Sequence, residues 1–83
     1  MMLEYVYVKI KDKKHEIKVI KKLIRIGYKK EVLSTDDEVR TICVFSDGTY
    51  QLLSLYSGWG IRIEPKDVMT SKPVKYFMEH NHV

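Results

Sequence analysis

Cysteine is nearly absent from this chain of 83 residues: Cys43 stands alone inside the apolar run TICVF. An internal disulfide is therefore excluded, and the expected role of the thiol is that of a small buried hydrophobe in a reducing compartment. No stretch approaches the ~20 apolar residues of a membrane span. The opening MMLEYVYVKIK lacks the continuous apolar core of a signal peptide, so a soluble protein of the cytoplasm is expected. Also missing are a Walker loop, a dinucleotide fingerprint, a nucleophile elbow, paired cysteines and HExxH. No catalytic residue, metal ligand or cofactor site can be named, and the expectation is a protein that is not an enzyme.

With 45% hydrophobic and 11% aromatic residues, the chain has enough apolar material for one compact core and too much for disorder. The net charge is +4 with pI near 9.2, a moderate excess whose distribution says more than its size.

That distribution is concentrated in KKHEIKVIKKLIRIGY, residues 13–28. At about 100° per residue, Ile17, Ile20, Leu23 and Ile24 share one side of a helix, the spacing of a core-facing stripe. Lys14, Lys18, Lys21, Lys22, Arg25 and Lys29 lie opposite, and Glu16, at the edge of the apolar face, is the only carboxylate in the helix. Asp12 fits the N-cap, where a carboxylate accepts from free amides at the positive end of the helix dipole. Gly27 fits a left-handed position after the last turn, with Tyr28 folding back as in a Schellman motif. The predicted helix runs from Lys13 to Ile26.

Before it, Tyr5 to Lys11 alternates strictly, which predicts a strand with Val6, Val8 and Ile10 facing the helix. Its other face carries Tyr5, Tyr7, Lys9 and Lys11, the chemistry of a nucleic-acid platform and equally that of a lysine-protected edge strand. After the helix, Ser34-Thr35-Asp36-Asp37-Glu38 reads as a solvated acidic loop able to pair with the basic face, without the ligand spacing of a calcium site.

Asp47-Gly48, between two β-rich runs, predicts a two-residue type I′ hairpin in Arg40–Tyr56. That register sets Phe45 against Tyr50 and Cys43 against Leu52 on the core face. Trp59 to Glu64 alternates again, with Trp59, Ile61 and Ile63 on one side and Pro65 as its end. Pro73, with Ser71 or Lys72 before it, then suits the first position of a short C-terminal helix over VKYFMEH. His80-Asn81-His82 lacks a third ligand and is read as a terminus.

The predicted fold is α+β, one domain over 1–83 with 66–83 as a helical extension. Four strands (Tyr5–Lys11, Arg40–Ser46, Thr49–Tyr56 and Trp59–Glu64) form an antiparallel sheet with the helix on one face. The expected core is Val6, Val8, Ile10, Ile17, Ile20, Leu23, Ile24, Cys43, Phe45, Leu52, Ile61 and Ile63.

The segments YVYVKI, IKVIKKLIRIGYKK and ICVFSDGTYQLLS, in that order, resemble small accessory proteins encoded by phages and prophages of low-GC Gram-positive bacteria. The same order is similar to the HicA toxins, ribonucleases with a catalytic histidine on the strand after the helix. Neither RTICVF nor TYQLLS holds a histidine, so RNA cleavage is not carried over. The phage resemblance implies a setting in the host cytoplasm, with a host or defence protein as the partner and inhibition as the mode of action. Tyr50, Tyr56 and Trp59, with Arg62 beside them, are the expected contact cluster, since Trp, Tyr and Arg supply most interface hot spots. The alternative is a nucleic-acid-binding domain using the basic helix face, and an edge-paired homodimer through Tyr5–Lys11 or Trp59–Glu64 is a further expectation.

Overall fold

A computed structural model describes residues 4–55 and 61–80. Chain order gives β1 (Tyr5–Lys9), α1 (Lys13–Arg25), β2 (Lys29–Lys30), β3 (Thr41–Phe45), β4 (Thr49–Leu53) and β5 (Ile61–Ile63), then a 3₁₀ segment (Pro65–Thr70) and α2 (Lys72–His80). This is an α+β fold. Among the described residues the sheet has five strands in the order β2-β4-β3-β1-β5.

The sheet is mixed where an antiparallel one was expected. The central pairs β1·β3 and β3·β4 are antiparallel, while β1·β5 and β2·β4 are parallel. β2 had read as a polar exit from the helix. It is held by backbone bonds alone: Lys29 and Glu31 donate to the carbonyls of Gly48 and Tyr50 at 2.9 and 2.8 Å, so its lysines give no alternation to detect. Because β1 lies between β3 and β5, its lysines do not protect an edge, and pairing of β1 with a second copy is blocked.

Both ends of α1 follow local chemistry. Asp12 accepts from the His15 amide at 2.9 Å. After Ile26, which caps the helix, Gly27 takes φ +101, and the Tyr28 and Gly27 amides donate to Leu23 and Ile24 at 2.9 and 3.0 Å. These are the two bonds of a Schellman motif.

The buried face of α1 is turned from the expected one. Glu16, Val19 and Leu23 are buried and Ile20 half-buried, whereas Ile17 and Ile24 are 42% and 56% exposed. Two stripes shared Ile20 and Leu23, and Glu16 made the correct one look polar. Its carboxylate pairs with Lys13 at 3.0 Å and lies in the first helical turn, where the dipole favours negative charge.

The hairpin register also differs. Only Gly48 takes positive φ, at +89°, so a type I′ turn, which needs two such residues, does not form. Asp47 instead accepts from the Thr49 amide and hydroxyl at 3.0 and 2.6 Å, and Ser46-Asp47-Gly48 makes a three-residue connection. Val44 therefore faces Tyr50 and Ile42 faces Leu52. A one-residue shift exchanges the two faces of a strand. Ile42, Val44, Tyr50 and Leu52 thus join Val6, Val8 and Ile10 in the core, covered by Val19 and Leu23 of α1, Val68 of the 3₁₀ segment and Val74 of α2. Cys43 and Phe45 move to the outer face. Cys43 is still buried there, and burial pushes its thiol pKa up to about 12. Ile61, on the edge strand, is exposed, while Ile63 packs partly against the core.

The C-terminal helix forms as expected but starts one residue earlier, at Lys72, with Pro73 second and the Lys75 amide bonded to the Ser71 carbonyl at 3.0 Å. In the expected helical extension, α2 is preceded by a 3₁₀ turn over Pro65–Thr70, which the sequence pattern does not signal.

Candidate functional site

Of the expected contact cluster, Tyr50 and Arg62 are described, and they do not come together. Tyr50 is 4% exposed and belongs to the core, on the face of β4 that the expected register also turned inward, so it is not an exposed contact residue. Arg62 is exposed on β5, opposite Tyr7 on the outer face, three strands from β4. At about 4.8 Å per strand, that separates Arg62 from Tyr50 by roughly 14 Å, on opposite faces of the sheet. Tyr56 and Trp59 lie outside the described residues.

The tyrosine face of β1 packs largely on itself. Tyr5 meets Tyr7 edge-on at a centroid distance of 5.6 Å and Phe45 at 5.9 Å, and Tyr7 is buried. Two of the rings that would stack bases are thus engaged with each other, and Glu31 and Asp47 line the shallow hollow beside Phe45. That surface is poorly suited to phosphates.

The basic face is assembled as expected. Lys14, Lys18, Lys21, Lys22 and Arg25 are exposed along α1, and Lys29 continues the row on β2. Among the described residues, none of these six forms an ion pair, whereas Lys11–Glu64, Lys13–Glu16, Arg40–Glu38 and Lys72–Glu4 do. The acidic loop approaches only the start of α1, where Glu38 lines a cleft with Lys13 and Glu16, and forms no ion pair with these six among the described residues. Glu38 turns to Arg40 at 3.8 Å, and the Ser34 hydroxyl accepts from the Leu52 amide at 3.0 Å, tying the loop to β4 on the far side of β2. The positive field of α1 is therefore not neutralised from within these elements.

Two features of this surface were not read from the sequence. Ile17 and Ile24, seven residues apart, emerge on the flank of α1 next to Lys13 and Lys21, which places apolar area inside the cationic face. The competing core stripe was the only signal for it. On the opposite flank, Lys66 of the 3₁₀ segment joins His15, Lys18, Val19, Lys22 and Pro65 around a cleft of about 190 Å³. Nothing in the sequence links Lys66 to α1, since the fold alone brings them together.

No group of three or more potential metal ligands occurs among the described residues, and no helix there is long and apolar enough to cross a membrane. Comparison with protein-family models, curated proteins and solved structures finds no match for the chain.

Proposed function

We propose that the chain is a small non-enzymatic binding module whose α1 docks on a protein surface that is acidic around an apolar patch. The observation that carries this reading is the exposure of Ile17 and Ile24, 42% and 56%, on a helical flank that also presents Lys13, Lys14 and Lys21. A helix that binds only phosphate backbones has no use for two uncovered isoleucines. An amphipathic helix laid into a partner's groove uses apolar anchors at this spacing, and surrounding cations steer it onto acidic rims. The resemblance to phage accessory proteins supports a host or defence factor in the cytoplasm as the partner and inhibition as the outcome.

The test is capture from host cells by wild type, by Ile17→Ser/Ile24→Ser and by Lys18→Glu/Lys22→Glu/Arg25→Glu, with each fold checked by circular dichroism. A single identified protein held by wild type and lost in the isoleucine variant supports the reading. Capture that the isoleucine variant leaves intact overturns it.

A second reading, nucleic-acid binding, is favoured by one specific observation: six cations in a row without an ion pair among the described residues. Affinity would then fall with salt at a slope of ~0.9 per duplex phosphate contact. Gel shifts with mixed-sequence DNA and RNA at about 50 and 200 mM salt separate the two, because only this reading requires binding that the triple glutamate variant removes.

A further inference from the structure

The cleft between α1 and the 3₁₀ segment lies on the flank of α1 away from Ile17 and Ile24, by a rotation of roughly 100° or more about the helix axis. Lys18 and Lys22, one turn apart, form one wall, and Pro65 and Lys66 form the other. His15 and Val19 complete the lining of a space of about 190 Å³. No carboxylate lines it. Of the acids close in sequence to its lining, Asp12 caps α1 beside His15, Glu64 reaches Lys11 at 3.8 Å, and Asp67 is exposed.

We propose that this cleft binds a phosphoryl group. Three lysines line one concavity from two elements more than forty positions apart in the chain, and none has an ion pair among the described residues. Like charges held around a small space repel, and a bound dianion turns that repulsion into three attractions. Lysine serves here as a mobile point charge that follows tetrahedral phosphate oxygens without the planar constraint of arginine. Val19 and Pro65 supply an apolar wall for the organic part of a phosphate ester. This inference does not depend on the docking of Ile17 and Ile24, because it uses other residues on another flank.

The experiment follows backbone amide shifts of the ¹⁵N-labelled full chain on addition of inorganic pyrophosphate, and separately of a short single-stranded oligonucleotide, at about 0.15 M salt, where distant charges are screened. Saturable shifts at His15, Lys18, Lys22 and Lys66 support the site. Saturation by pyrophosphate identifies a free phosphorylated small molecule as the ligand class, and saturation by the oligonucleotide alone identifies a chain phosphate. Lys66→Gln should weaken binding by about fivefold or more, the loss of a charge-assisted contact. Lys21→Gln, on the same helix outside the cleft, should change it by less than about twofold under the same screening. Equal effects of the two variants would show a diffuse field and overturn the site, as would shifts that never saturate.

Discussion

Phe77 on α2 lies across Gly48 at the tip of the β3–β4 hairpin, so close that a β-carbon on Gly48 would fall inside the van der Waals envelope of its ring. The same ring meets Tyr28 edge-on at 4.6 Å, so Phe77 joins the C-terminal helix, the end of α1 and the hairpin turn. Gly48 is thus constrained twice, by its φ of +89° and by this approach.

Gly48→Ala should destabilise the protein by at least about 2 kcal/mol in urea, combining backbone strain with overpacking. In a Phe77→Ala background the steric part disappears and the backbone part stays. The two changes should therefore couple by about 1 kcal/mol in a double-mutant cycle. Additivity would show that the ring does not rest on the glycine.

The rotation of α1 gives a second expected outcome. Leu23 is fully buried and Leu23→Ala should cost about 2–5 kcal/mol. Ile24, its neighbour in sequence, should tolerate alanine at a cost under about 0.5 kcal/mol, as an exposed position does. Similar losses at both positions in chemical denaturation would return Ile24 to the core and remove it from the proposed contact flank.

Alkaline stability tests the third relationship. The Tyr28 hydroxyl donates to the Phe45 carbonyl at 2.7 Å, and burial, followed by the negative charge of Asp47, raises its pKa well above the ordinary 10.0. Burial also raises Tyr50. The unfolded chain then releases these protons before the folded one does. Their contribution is complete below the unfolded value of 10.0 and is lost as pH rises from there through the folded values. Tyr28→Phe should cost about 1 kcal/mol at neutral pH, the net value of a hydrogen bond. It should also lose stability less steeply than wild type above pH 10, and equal slopes in urea melts there would refute the assignment.

Local chemistry was legible where it acts over a few residues. Asp12 at the N-cap, Gly27 with Tyr28 at the helix end, the alternation of β1, the presence of α2 and the cationic row from Lys14 to Lys29 all depend on spacing along the chain, and the sequence alone determined them. What it left open were choices between nearly equivalent local options. Ile17/Ile24 and Glu16/Val19 offered two apolar stripes sharing Ile20 and Leu23. Asp47-Gly48 suited either a two- or a three-residue turn, and only the assembled sheet decided that Ile42 and Val44, rather than Cys43 and Phe45, point inward. Burial is a property of what lies opposite, so Val44 took the core place expected of Phe45, Ile24 passed from core to surface, and Lys66 came to line one cleft with Lys18 and Lys22 only once the sheet order β2-β4-β3-β1-β5 had set the helical elements side by side.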